Sequence, residues 1–121
     1  MEPILSIIIP CYNCADTLAE AVESCFVGRL NNFEIVMVDD GSTDETIIVI
    51  QRLSKKHSEI KLFYHDTNKG GGAARNTGIK NAMGKLIFCL DSDNVLDPES
   101  LVKMINFLKE HKVDGVAFYE R

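Results

Sequence analysis

Four short apolar runs, ILSIII (4–9), FEIVMV (33–38), IKLFYH (60–65) and KLIFCL (85–90), recur along the chain, with room for one helix between successive runs. This alternation constrains the fold more than any other feature. A continuous Val/Ile/Leu run reads as a strand buried on both faces, and such strands build parallel sheets covered by helices. The segments between them carry the helical period. Leu18, Val22, Cys25 and Phe26 share one face, with Gly28 as terminator, and Ile47, Ile50 and Leu53 share another. Ser42 and Glu45 have capping-box spacing at the start of the second helix. GGGAARNTGIKNAMG (70–84) reads as a loop entering a third helix that stops near Gly84. Asp97 suits an N-cap, Pro98 the first helical position, and Leu101, Met104, Ile105 and Leu108 the stripe of a fourth helix. Lys109, His111 and Lys112 suit its negative end, and VDGVAFY (113–119) predicts a fifth strand. The order is βαβαβαβαβ, an α/β, Rossmann-like, doubly wound and mostly parallel sheet. The third run alternates Lys61, Phe63 and His65 with Ile60, Leu62 and Tyr64, which suits an edge strand and a strand order of 3-2-1-4.

Size and charge narrow the function. The chain has 121 residues, enough for one domain over 1–121 with its own core. A formal net charge of -5 and a pI of about 5.1 argue against a nucleic-acid partner, which needs a basic face. No apolar run approaches the length that spans a bilayer. MEPILSIIIPCYN lacks a basic leader and a cleavage site, so no signal peptide is read. Four cysteines without export signals imply a reducing compartment and free thiols. The expected location is the cytoplasm, or the cytoplasmic face of a membrane as a peripheral protein.

Open parallel sheets bind ligands at the carboxyl ends of their strands, where the strand order reverses. The polar clusters of this chain all follow strands: PCYN, DDGSTDET (39–46), DTNKGGGAARN (66–76) and DSDN (91–94). Asp91 and Asp93 repel each other unless a cation sits between them or one takes a proton, and hard divalent ions accept one or two carboxylates beside a substrate phosphate. Asp-Gly-Ser turn chemistry accounts for Gly41, Ser42 and Glu45, but not for the acidic pair Asp39 and Asp40. A carboxylate there can accept from a ribose hydroxyl or a base N–H. Gly70, Gly71 and Gly72 permit close backbone approach, and Lys69 and Arg75 add positive charge near a helix start, an anion-friendly patch.

SIIIPCYN, EIVMVDDGSTDET, NKGGGAARNTGIKNAMG and KLIFCLDSDNVLDP, in this order and spacing, resemble the motifs of family 2 glycosyltransferases. The resemblance runs from residue 5 to about 108. It implies the nucleotide-binding half of a GT-A fold and an inverting, metal-dependent, hexosyltransferase-type enzyme. The donor would be a nucleotide-sugar, with UDP as the expected nucleotide. It further implies that Pro10, Tyr12 and Asn13 line the nucleotide site, with Tyr12 against the base. Asp39 or Asp40 would hold uracil or ribose, and Gly70 and Arg75 would lie close to the nucleotide and Asp39. Asp91-Ser92-Asp93 would be the D-x-D motif. Asp91 and Asp93 are then the catalytic and metal residues for Mn²⁺ or Mg²⁺, Asp93 the more direct ligand, and Ser92 joins the nucleotide set. Asn94 stands where many relatives carry a further Asp. The expected acceptor is a saccharide or lipid-linked saccharide. The general base such chemistry needs has no candidate in this chain, so residues 1–121 are expected to be a donor-binding fragment, inactive alone.

Other classes make different demands. A phosphoacceptor receiver needs an acidic pair after strand one and a Lys after strand five; a dehydrogenase needs its glycine fingerprint after strand one. Strand one ends in Pro-Cys-Tyr-Asn, which supplies neither. A non-catalytic nucleotide-binding module makes the same demands on the site as the donor half of an enzyme. Cys11 and Cys14 have the C-x-x-C spacing of a redox loop, but the resemblance explains that strand end through Tyr12 and Asn13, which leaves the cysteines as bystanders open to oxidation.

Overall fold

The structure, a computed structural model, describes residues 3–111. The elements are β1 (Leu5–Cys11), α1 (Leu18–Ser24), β2 (Phe33–Asp40), α2 (Thr46–Lys56), β3 (Ile60–His65), α3 (Gly71–Lys80), β4 (Leu86–Cys89) and α4 (Pro98–His111). The expected fifth strand lies outside the described residues. All pairings are parallel and the order is β3-β2-β1-β4, as the periodicity predicts, with β3 at an edge. The order reverses between β1 and β4, so the crevice at their carboxyl ends is where a ligand is expected. A receiver-type sheet would run 2-1-3-4-5, and this one does not.

The two faces of the sheet follow the two-residue period of its strands. Ile7, Ile9, Ile35 and Met37 pack with Leu18, Val22, Ile50, Leu53 and Leu101, so α1, α2 and α4 cover one face. Ile8, Val36 and Val38 pack with Ala74 of α3 on the other. That second layer is thin. A Cβ on Gly78 would lie 2.5 Å from Ile8 Cγ2, so the glycine lets α3 sit directly on the sheet. Below α3, buried Glu34 gathers the Ser6 hydroxyl (2.5 Å) and the Met83 amide (2.6 Å), and pairs with Lys61 Nζ at 2.7 Å.

Several helix ends differ from expectation. The Ser42/Glu45 capping box does not form. Ser42 Oγ instead accepts the Asn13 amide, and Asp44 Oδ1 accepts the Thr46 amide at 2.9 Å, so α2 opens at Thr46. α1 ends at Ser24, whose hydroxyl turns back to the Ala21 carbonyl and accepts the Leu96 amide. Phe26, expected on that helix, lies beyond it and stacks on His57 with ring centroids 3.8 Å apart. α3 ends at Lys80 rather than near Gly84, because Gly84 is wedged against β1, its amide donating to Ser6 Oγ. Asp97 does cap α4, accepting the Glu99 amide and the Ser100 hydroxyl. Among the described residues, no helix is long and apolar enough to cross a membrane.

Candidate functional site

The β1 and β2 loops are laced together through one residue. Asn13 adopts φ 47, and its Oδ1 accepts the amides of Thr43 (2.8 Å) and Asp44 (3.3 Å), while its own amide donates to Ser42 Oγ (3.0 Å). The Cys14 amide then donates to Thr46 Oγ1 at 2.8 Å. Short polar side chains in left-handed or turn conformations commonly make such local bonds, so Asn is well suited to this position. The lacing leaves Tyr12 at the rim, 49% exposed.

Strand alternation separates Asp39 from Asp40. Both are buried at the end of β2, but successive side chains point to opposite faces. Asp40 turns to the α3 side. Its Oδ1 accepts His65 Nδ1 (2.7 Å) and the Lys69 amide (2.9 Å), and its Oδ2 accepts the Gly70 amide (2.8 Å). His65 Nε2 reaches Thr77 Oγ1 at 2.8 Å. Gly70, at φ 100, can present its amide in this way because it has no Cβ. Gly41, at φ 74, is equally constrained: a Cβ there would meet the Asn68 nitrogen at 2.7 Å. Asp39 turns the other way, beside Cys11. Its Oδ2 accepts the Ser42 amide at 3.1 Å, and its buried Oδ1 has no hydrogen-bond partner within the chain. The sequence expectation grouped Gly70 with Asp39; the structure joins Gly70 to Asp40.

After β4, the Asn94 amide donates to the Asp91 carbonyl (3.0 Å), a tight turn that leaves Asp91 and Asp93 exposed and Ser92 half-buried. These three residues, Arg75 from α3, and Pro10, Tyr12 and Asn13 from the β1 loop line one cavity of about 410 Å³ at the reversal point. Thr17 and Cys14 complete the wall, and neither was singled out as a site residue from the sequence. Asp39, Asp40 and Gly70 are not among its lining residues. A smaller cavity of about 190 Å³ opens at the amino-terminal end of β1, but its walls include no carboxylate.

Two carboxylates and one guanidinium line the cavity at the strand-order reversal. Among the described residues, no group of three or more His, Cys, Asp or Glu side chains is placed to enclose a metal. Two carboxylates supply hard oxygens of the kind Mg²⁺ or Mn²⁺ accepts, ions that draw their remaining ligands from water and substrate phosphate. The orphaned Asp39 oxygen likewise fits a ligand donor, since an unpaired buried acceptor costs about 1–3 kcal/mol.

The carboxylates on the α3 side set the acid response. Burial pushes Asp40 up, but the hydrogen bonds from His65, Lys69 and Gly70 outweigh it and hold the group below its ordinary 3.8. Burial opposes Glu34 in the same way, and Lys61, Ser6 and Met83 hold it below 4.5. Depressed carboxyls contribute stability that is present above their unfolded values and is lost as pH falls through the folded ones. Urea midpoints should therefore be flat between about pH 5 and pH 7 and fall steadily below pH 5. A midpoint unchanged down to about pH 3 would contradict the network.

A family profile described as "Glycosyl transferase family 2" matches residues 6–118. A relative from Haemophilus influenzae, described as an uncharacterized glycosyltransferase, is 39% identical over 109 residues, 90% of this chain and 44% of the relative. The solved structure of S. aureus TarS 1-349 in complex with UDP-GlcNAc superposes with a TM-score of 0.83 at 29% identity, covering 99% of this chain and 37% of that one. Mannosyltransferase PcManGT from Pyrobaculum calidifontis, in complex with GDP-Man and Mn²⁺, matches with a TM-score of 0.81 at 25% identity, over 89% of this chain and 33% of that one. The chain thus spans less than half the length of each of these proteins. The parallel sheet and its helices are the nucleotide-binding half of a GT-A fold, and the chain belongs to glycosyl transferase family 2.

Proposed function

We propose that this chain is the donor-binding half of a glycosyltransferase that moves a sugar from a nucleoside diphosphate, UDP in the first instance, to an acceptor hydroxyl with inversion. One observation carries the reading: the cavity at the strand-order reversal, where Tyr12, Arg75, Asp91 and Asp93 meet. The exposed Tyr12 ring offers a face for the base. The orphaned Asp39 oxygen accepts from the uracil N–H or a ribose hydroxyl, which makes Asp39, not Asp40, the nucleotide carboxylate. Ser92 borders the nucleotide, and Arg75 takes a phosphate oxygen. Pro10 and Asn13 shape the wall, while Gly70 and Asp40 hold the glycine loop that leads to Arg75.

Asp93 and Asp91 would hold Mn²⁺ or Mg²⁺. Bound there, the ion supplies Lewis-acid stabilisation of the negative charge that gathers on the departing diphosphate. The residues themselves orient the donor, keep its pyrophosphate against the β4 turn and leave the sugar facing outward. The general base and the acceptor site, for a saccharide or lipid-linked saccharide, are assigned to the part of such proteins beyond the matched region. Residues 1–121 are accordingly expected to bind donor without turning it over.

Calorimetry is the test. UDP should bind the purified chain with Mn²⁺ present and lose most of that affinity in EDTA. Equal binding in both conditions, or tighter binding of NADH than of UDP, would count against the assignment.

A further inference from the structure

The C-x-x-C pair is adjacent in space as well as in sequence. Cys11 closes β1 fully buried, and Cys14 is 8% exposed in the wall of the cavity. The Cys11 thiol donates to the Ile9 carbonyl at 3.4 Å, and the Cys14 side chain interacts with those of Cys11, Ser92 and Thr46. Cys25 is in the core, bonded to the Ala21 carbonyl, and Cys89 packs on the α3 face of the sheet; neither lines this cavity. We propose that Cys11 and Cys14 are a redox modification site, in which a small peroxide entering the cavity converts them to an intrachain disulfide that weakens nucleotide binding.

The chemistry balances. The Cys14 sulfur attacks one peroxide oxygen, the O–O bond breaks, and the departing hydroxide takes the proton given up by the Cys14 thiol to become water. The Cys11 sulfur then attacks the Cys14 sulfenic acid. The S–O bond breaks, the S–S bond forms, and the Cys11 proton leaves with the second hydroxide as water. The pair loses two electrons and the peroxide gains them. Cys14 is the attacking group because it reaches the cavity. Its hydrogen bond to Cys11, ahead of those to Ser92 and Thr46, brings its thiol down to about 7 against the opposing effect of burial, whereas Cys11 is pushed up. Drawing the Cys14 sulfur into a disulfide takes it from Ser92 and loosens the hold of the β1 loop on the Asp91–Asp93 turn. Tyr12 lies inside the bridged segment, so the base-facing side of the cavity changes with it.

The effect on nucleotide binding rests on the donor-site reading; the disulfide does not. The experiment exposes the full chain to hydrogen peroxide, maps the thiols by differential alkylation and mass spectrometry, and measures UDP binding in Mn²⁺ before and after. The expected result is a loss of two hydrogens confined to a Cys11–Cys14 peptide, with Cys25 and Cys89 still alkylated. UDP affinity should fall about tenfold, as losing a hydrogen bond at the site implies, and return with dithiothreitol. Stable sulfinate or sulfonate at Cys14, no Cys11–Cys14 disulfide, or unchanged UDP affinity after oxidation would overturn the proposal. If the reduced chain binds no UDP at all, the donor-site reading and the nucleotide effect both fall, while the peptide map still decides the disulfide.

Discussion

Asp93→Ala is expected to weaken UDP binding in Mn²⁺ by about a hundredfold, to the level seen in EDTA, while leaving the fold intact. A hundredfold is about 2.8 kcal/mol, the order expected when a diphosphate loses the cation that offsets its charge. The cavity presents Asp91, Asp93 and Arg75, an excess of negative charge against an anionic ligand. With one carboxylate gone, an ion held there would lose half of its charged protein donors, and a pyrophosphate would meet Asp91 without an adequate counterion. Stability should hold because Asp93 is exposed, and exposed substitutions usually stay within about 0.5 kcal/mol. Calorimetry with and without EDTA, paired with a thermal melt, separates the two effects. Retained metal-dependent affinity in the variant would remove Asp93 from the ion's coordination.

The adjacent acids of β2 should respond in opposite ways. Asp40→Ala strips the partner from His65 Nδ1 and from the Lys69 and Gly70 amides at once. Leaving buried donors unsatisfied costs about 3 kcal/mol, which lowers Tm by about 10 °C for a domain of this size. The loop leading to Arg75 loses its anchor, so nucleotide affinity should decline as a consequence of instability. Asp39→Asn keeps the shape and the bond from the Ser42 amide, and should melt within a few degrees of the parent. Its UDP affinity should fall about tenfold, because the exchange removes a charged acceptor and puts an amide in its place. A stable Asp40→Ala would remove Asp40 from its anchoring role, and normal binding by Asp39→Asn would remove Asp39 from the nucleotide.

That contrast shows how far the residues alone reach. Asp39 and Asp40 were both candidates for the ribose or base, since acidity at a strand end says nothing of direction. The pleat separates them, but which face carries α3 is a tertiary fact. From the sequence, His65 is one polar residue of an edge strand. Its partnership with Asp40 depends on the parallel register, in which Asp40 and His65 are paired. The Ser42/Glu45 capping box failed for a similar reason: Asn13, 29 residues away, recruited the serine hydroxyl first. Local propensity yields when a distant residue offers the same group a better partner.

The order of the described elements, the parallel sheet, the edge position of β3 and the placing of the β1 and β4 loops at the strand-order reversal were determined by the sequence. Each of these follows from short-range periodicity, which the chain carries whether or not it is folded. Direction, pairing and proximity were decided by the tertiary structure. It set Asp39 beside Cys11 and Asp40 against α3, turned Asn13 into a brace between loops, and brought Cys14 beside Ser92. Those contacts join residues many positions apart, and only the packing of helices onto both faces of the sheet brings them within hydrogen-bonding reach.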